Sequence, residues 1–445
     1  MKRSLPSLYA EYGRYIDQFR AIPYYLDVLK PVERRLLLAL WDVAKNKTVK
    51  SAKIIGEVIA KYHPHGDQSA YETLVSLVQR NLAFGQGNWG HIGYEKTDQA
   101  AYRYTETQAS QFVTKFCFEF INYIDWYDPE NLSEQQPVFL PSPIPIGLIG
   151  EGLIYGISFN TTKIPRYSLD DLIERLIGIN QKISDPTIYP KTIIPQFKNC
   201  DVYEAQPGEF EKILTFGEGI IKVIPKFQVK SDGIYIYGRP PSGFTSLKND
   251  EKKLEDENKS FYKIIDLSAK DKIEVFIHPI SSKFFDQKFV DHIFKLVTSS
   301  INISCKFVED DGHVYQKSID NILQNCYLKW ISVYGTKLNS DKTKLEEKIF
   351  ELKIVSIIKE IISSNSIKSM SDLINIFKTN YSTKYPECNE TILKEVSSKH
   401  KISKLLEYNV DLSSLNTELI NVNSLLIDVN SSAFIKFQNL YNSLK

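Results

Sequence analysis

The chain has 445 residues, 42% of them hydrophobic and 24% charged, and a net charge of +1. That hydrophobic content excludes an intrinsically disordered protein, and the length accommodates two or three globular units with their own cores. So small a net charge excludes whole-molecule attraction to nucleic acid, so any such surface has to be local. Residues 1–110 carry 15 lysines and arginines against 11 aspartates and glutamates. The cysteines Cys117, Cys200, Cys305, Cys326 and Cys388 are odd in number and far apart. They fit neither a disulfide framework nor a zinc knuckle, and suit a reducing compartment. The opening Met1-Lys2-Arg3-Ser4-Leu5-Pro6 lacks an apolar signal core, and no later stretch approaches a membrane span, so a soluble, cytoplasmic protein is expected.

Residues 8–19 read as a short helix that stops before Arg20-Ala21-Ile22-Pro23, because proline disfavours helix in its predecessor. Pro31 opens a second helix, with Leu36, Leu37 and Leu40 on its apolar face. Arg34 and Arg35 fall near that helix's start, where positive charge gains nothing from the dipole, which suggests that an anion meets them. A third helix over residues 51–61 points Ile54, Ile55, Val58 and Ile59 inward. After Tyr62-His63-Pro64-His65-Gly66-Asp67, a fourth over residues 68–80 has Asp67 as its N-cap and Tyr71, Leu74, Val75 and Val78 inward. Helix, glycine-containing turn, helix is the helix-turn-helix plan, whose second helix lies in the DNA major groove.

Two motifs in this region have competing readings. His63-Pro64-His65-Gly66-Asp67 has a His-x-His-x-Asp spacing used by some zinc hydrolases, but its flanks read as helices and no further histidine follows closely. Gly85-Gln86-Gly87-Asn88-Trp89-Gly90 satisfies the dinucleotide fingerprint without a preceding strand or a helix opening inside it. It reads as a loop that lets backbone approach something closely.

Ala100-Ala101-Tyr102-Arg103-Tyr104-Thr105-Glu106 holds the candidate nucleophile, Tyr104. A phenol with an ordinary pKa of about 10 needs a nearby cation that favours phenolate. Arg103 supplies one, and its planar guanidinium can hold two phosphate oxygens at once. The competing reading of these residue types is an aromatic surface segment with a solvated arginine.

Residues 202–247 and 261–314 contain alternating stretches such as Ile220-Ile221-Lys222-Val223-Ile224 and Gly233-Ile234-Tyr235-Ile236-Tyr237, which predict strands. Residues 248–259 between them are almost all charged or polar and read as a solvated loop, as does Glu309-Asp310-Asp311. Beyond Tyr327 the pattern turns helical: Ile331, Leu338, Leu345 and Leu352 recur every seven residues, with Ile349 filling the seam of a coiled-coil arm. Leu419, Val422, Leu426, Val429, Ala433, Phe437, Leu440 and Leu444 form a second stripe, read as the arm's antiparallel partner.

Five motifs in order resemble the DNA-cleaving subunit of type IIA topoisomerases, with the gyrase A and topoisomerase IV A subunits the nearest comparisons. They are Arg20-Ala21-Ile22-Pro23, Leu29-Lys30-Pro31-Val32-Glu33-Arg34-Arg35, Lys61 through Asp67, Gly85 through Gly90, and Tyr102-Arg103-Tyr104-Thr105-Glu106. Gln136-Pro137-Val138-Phe139-Leu140-Pro141 and Lys163-Ile164-Pro165 continue the resemblance, and Gly150-Glu151-Gly152 is closer to eukaryotic members. Lys404-Leu405-Leu406-Glu407-Tyr408-Asn409-Val410-Asp411-Leu412 resembles the family's lower dimer gate without its arginine.

The resemblance implies an α+β chain. Its parts would be a winged-helix breakage-reunion domain over residues 1–140, a tower over 141–326, and a coiled-coil arm with C-gate over 327–445. It implies Tyr104 as nucleophile, with Arg103, Arg20, Arg35 and His63 stabilising the transition state. DNA-side contacts would come from Lys30, Arg34, His65, Gln68 and Glu72, with Ile164 as a wedge between base steps; the competing reading of Ile164 is a residue packed ahead of a proline turn. In bacterial relatives the positions of Gln68 and Glu72 hold fluoroquinolones through a water-coordinated metal. No phosphate-binding glycine loop and no Asp-x-Asp metal site is found, so ATP hydrolysis and Mg²⁺ are expected from an ATPase partner in a heterotetramer. A DNA-wrapping tail is not seen, which argues against gyrase-like wrapping, and the wealth of Lys, Ile, Asn and Ser suggests an AT-rich phage or viral genome. Two alternatives remain: a non-catalytic winged-helix architectural protein, and a metal-dependent hydrolase using the His-x-His-x-Asp motif.

Overall fold

The computed structural model describes residues 5–62, 66–92, 96–97, 99–128, 134–269, 272–365, 367, 369–386, 388–399 and 412–443. Helices and strands are mixed throughout, and the chain divides into two compact units, one up to Trp330 and one from Ile331 to Ser443.

The first unit opens with helix Leu5–Ile16, which widens into a π turn, Asp17–Ala21, before Ile22 goes extended ahead of Pro23. Helix Pro31–Ala44 starts with its proline in the first turn, as expected, and buries Leu36, Leu37 and Leu40. Ser51–Glu57 continues as the wider turn Val58–Tyr62, with Ile54, Ile55 and Val58 in the core. The next helix is Asp67–Gln79, in which Asp67 is the first helical residue and Gly66 the cap. Asp67 therefore does not cap with its side chain; its carboxylate is engaged elsewhere.

Against these helices lies a three-stranded antiparallel sheet, in which Glu106–Ala109 runs between Val49–Lys50 and Ala83–Gln86. The glycine-rich segment expected as a loop thus begins inside a strand. Gly87 and Gly90 then take positive φ values of 104° and 73°, a region closed to most side chains.

Two further sheets follow. One orders Cys200–Glu204, Glu218–Pro225, Ser299–Ser304, Thr161–Pro165 and Leu153–Ile157; the other orders Phe227–Lys230, Gly233–Ile236, Val275–Pro279 and Tyr262–Asp266. The charged segment read as a loop is instead a helix, Thr245–Asp256. Leu247 is fully buried and Leu254 packs beside it, while Asp250 accepts from the Tyr262 hydroxyl at 2.8 Å and Glu251 from the Ile264 amide at 2.7 Å. Its lysines and glutamates are good helix formers, and two leucines seven apart suffice to seat it. The Glu309-Asp310-Asp311 turn is also engaged: Asp310 accepts from Tyr24 and Tyr25, Asp311 from Tyr315, and Glu309 pairs with Lys317.

Helix Ile319–Ser364 starts inside the first unit, eight residues before Tyr327. In the second unit Leu338, Ile349 and Leu352 are buried on it, and Ile354, Ile358 and Ile361 join Leu373, Phe377 and Leu393 in one core. The C-terminal stripe is split between helices Leu412–Ile427 and Val429–Asn442, because Asp428 caps the second through the Ser431 amide. Ala433, Phe437 and Leu440 are buried, whereas Leu419, Val422 and Leu426 are only half-buried. The gate-like segment Lys404 to Asp411 lies outside the described residues. Among the described residues no helix is long and apolar enough to cross a membrane.

Candidate active site

Tyr104 stands at the end of a tight turn in which its amide donates to the Ala101 carbonyl at 2.8 Å. Its side chain is 64% exposed. The Arg103 guanidinium lies 4.8 Å from the centre of the Tyr104 ring, and hydrogen bonding and charge from Arg103 hold the phenol below its ordinary value. Tyr102, two residues away, is held the other way. Its hydroxyl donates to Asp67 Oδ2 at 3.0 Å, and that bond, with the carboxylate's charge, pushes its pKa up. The two neighbouring phenols therefore differ: the Tyr104 pKa is lowered by Arg103 and the Tyr102 pKa is raised by Asp67.

The turn is anchored from below. Thr105 is fully buried, donates to Ser51 Oγ at 2.8 Å, and lies 2.9 Å from the Tyr71 hydroxyl. Tyr71 also donates to the Ala100 carbonyl at 2.6 Å, and the Ser51 amide donates to the Thr105 carbonyl at 2.9 Å. Behind the turn, a Cβ on Gly87 would sit 3.5 Å from both the Tyr104 carbonyl and Thr105 Cα. The backbone that the glycine-rich segment approaches closely is thus that of Tyr104 and Thr105. None of these anchors was singled out from sequence, because Tyr71 and Ser51 are 34 and 54 residues from Thr105.

Arg35 is buried and donates to Gln136 Oε1 at 2.8 Å, and Gln136 in turn donates to the Tyr62 carbonyl at 3.2 Å, directly before His63. Burial, with Arg34 adding to it, pulls the Arg35 pKa down. Arg20 is exposed at the end of the π turn. His63 and His65 lie outside the described residues. Lys30 is half-buried at the start of helix Pro31–Ala44; Gln68 and Glu72 are exposed one turn apart, and the Gln68 amide donates to Glu72 at 2.9 Å.

Arg34 and Ile164 differ from their expected placement. The anion that meets Arg34 is internal: Asp27, fully buried, takes its Nε at 2.7 Å and Nη2 at 2.9 Å. Two donors of the Arg34 guanidinium are therefore held inside the protein, since an exposed DNA contact would require breaking that pair. Ile164 is fully buried in strand Thr161–Pro165, opposite Ile154, and presents no wedge to solvent. Among the described residues no group of three His, Cys, Asp or Glu side chains is arranged to hold a metal ion. Asp67, the carboxylate of the His-x-His-x-Asp motif, serves Tyr102.

Residues 20–436 match the family of DNA gyrase/topoisomerase IV A subunits. The chain is similar to the DNA gyrase A subunit of Helicobacter pylori, 28% identical over 425 residues, covering 88% of this chain and 48% of that protein. It is similar to the DNA topoisomerase 4 A subunit of Salmonella typhimurium, 28% identical over 342 residues, covering 71% of this chain and 44% of that protein. With the DNA gyrase A subunit of Spiroplasma citri it is 35% identical over 200 residues, 42% of this chain and 85% of the relative. The chain thus spans less than half the length of the Helicobacter and Salmonella relatives.

Proposed function

The chain belongs to the family of DNA gyrase/topoisomerase IV A subunits, and from that premise we propose that it is the DNA-cleaving and religating subunit of a type IIA topoisomerase. The observation that carries the reading is the exposed Tyr104 beside Arg103, with Tyr102 tied to Asp67. The Tyr104 oxygen attacks a backbone phosphorus and forms a 5′-phosphotyrosyl bond. The P–O bond to the neighbouring 3′-oxygen breaks, and that oxygen leaves with a proton that balances the one the phenol gives up. One phosphodiester replaces another, so the same residues run the step backwards and reseal the strand. Arg103, Arg20, Arg35 and His63 stabilise the charge on phosphorus; Gln136 positions Arg35 against the backbone that leads to His63.

In this reading the helices Pro31–Ala44, Ser51–Glu57 and Asp67–Gln79 with their sheet form a winged helix within residues 1–140. Residues 141–326 form the tower and 327–445 the arm and C-gate. Lys30, His65, Gln68 and Glu72 face DNA. Mg²⁺ and ATP enter with an ATPase partner in a cytoplasmic heterotetramer. The test is reconstitution with a candidate ATPase chain on supercoiled DNA, quenched with denaturant. ATP-dependent strand passage with DNA covalently attached to this chain supports the reading; duplex binding without attachment favours the non-catalytic alternative.

A further inference from the structure

Beneath the start of helix Pro31–Ala44 the charges of Arg80, Arg166 and Lys30 act on one buried carboxylate, with which Arg80 pairs directly. Glu33 is 7% exposed; its Oε1 takes Arg80 Nη1 at 2.7 Å, and its Oε2 accepts from the Lys30 amide at 2.9 Å. Arg80 Nη2 and Arg166 Nε both donate to the Gly147 carbonyl, at 3.2 and 3.3 Å, so the two guanidiniums share an acceptor. Arg166 is 9% exposed and gives Nη1 to the Leu153 carbonyl at 2.9 Å.

The cluster is under-compensated. Arg80 Nε is buried without a hydrogen-bond partner among the described residues. Neither the Lys30 ammonium nor Arg166 Nη2 has a hydrogen bond or ion pair to a described residue. Arg80 and Glu151 both line an open cleft of about 410 Å³. Burial pulls Arg166 down to about 9, with Arg80 adding to it, and burial together with Arg166 lowers Lys30. An arginine does not give up its proton in a protein, so the stress remains as uncompensated charge. An incoming anion relieves it.

We propose that Lys30 and Arg166, backed by Arg80, hold a backbone phosphate of the bound duplex, with Glu33 holding the cations together until DNA arrives. This rests on the reading of the chain as a DNA-cleaving enzyme, and adds Arg80 and Arg166 to the residues the family resemblance implies. A phosphodiester fits because it offers two oxygens, one to the ammonium and one to the free guanidinium nitrogen.

The test is anisotropy titration of the full chain with a labelled duplex over a series of salt concentrations. Each phosphate contact contributes a slope of about −0.9 in log affinity against log salt. Arg166→Gln is expected to flatten the slope by about one, Arg166→Lys to restore most of it, and Glu33→Gln to tighten binding several-fold. Because Arg166→Gln could unfold the chain, Glu33→Gln is the guard: loss of a purely structural carboxylate cannot tighten DNA binding. In a second arm, inorganic phosphate without DNA is followed by thermal shift. Arg166-dependent stabilisation by phosphate with unchanged duplex slopes would identify a free-anion site and overturn the DNA assignment. Equal slopes for wild type and Arg166→Gln overturn the inference alone, whereas wild type that fails to bind duplex at all overturns the proposed function beneath it.

Discussion

The Tyr102 hydroxyl donates to Asp67 Oδ2 across 3.0 Å, joining the turn that carries Tyr104 to the first residue of helix Asp67–Gln79. The bond raises the Tyr102 pKa, and its ring meets Tyr71 edge-on at 5.6 Å, so the turn is braced on the side facing that helix. Asp67→Asn keeps a weaker acceptor and removes the charge. It is expected to lower cleavage several-fold while duplex affinity stays within twofold, measured by plasmid cleavage and anisotropy. A variant that cleaves as wild type would show that the brace does not position Tyr104.

The pH dependence of cleavage follows from Arg103. Hydrogen bonding and charge from Arg103 depress the Tyr104 pKa, so more phenolate is present at any given alkaline pH than for an isolated phenol. Arg103→Gln should move the rise of the single-turnover cleavage rate to higher pH, and Arg103→Lys should move it less. A profile unmoved in Arg103→Gln, whatever the loss in rate, would remove Arg103 from phenol activation.

Arg34 is expected to behave as a core residue. Its pair with Asp27 is buried, and Asp27 also accepts from the Leu29 and Leu140 amides at 3.0 and 2.9 Å. Removing one partner of such a pair costs about 3 to 5 kcal/mol. Arg34→Leu should therefore lower the unfolding free energy by that amount in a denaturant titration and leave the salt slope of DNA binding unchanged. A flattened slope in a stably folded variant would return Arg34 to the DNA surface.

Much of the fold was legible because the signals are local. Pro31 fixes a helix start, the spacing of Ile54, Ile55 and Val58 an inward face, and the alternation through residues 220–224 a strand. Helix Thr245–Asp256 was missed because its polarity outweighed the two leucines that seat it. At the site, Tyr104 and Arg103 were legible as adjacent residues. Their supports were not, because Asp67 and Tyr102 are 35 residues apart and Arg35 and Gln136 are 101 apart, and no local pattern links them. Burial of Ile164 was equally unreadable, since a wedge and a core isoleucine have the same sequence.

Gln68 and Glu72 lead to an expectation about inhibitors. The Gln68 amide donates to the Glu72 carboxylate at 2.9 Å, so the acid that would anchor a fluoroquinolone's metal-bound water is already engaged, and the position after Asp67 carries an amide in place of a serine hydroxyl. Each hydrogen bond lost from that water is worth about 0.5 to 1.5 kcal/mol. Quinolone-stimulated cleavage by the reconstituted enzyme should be several-fold less sensitive than for a serine-bearing relative, and Gln68→Ser should recover part of it. Equal sensitivity of wild type and Gln68→Ser would contradict this.

The C-terminal helices lead to an expectation about assembly. Leu419, Val422 and Leu426 are only half-buried in the single chain, and pairing of two copies would cover them. Light scattering at micromolar concentration is expected to give a dimer without DNA or partner; a monomer would count against the gate.

The most direct measurement compares Tyr104→Phe with Tyr102→Phe in the reconstituted enzyme, trapping covalent protein–DNA adducts with denaturant in the presence of Mg²⁺. Tyr104→Phe is expected to abolish the adduct while binding duplex as wild type does, and Tyr102→Phe to retain it at reduced yield. An adduct that survives in Tyr104→Phe and vanishes in Tyr102→Phe would contradict the assignment of the nucleophile.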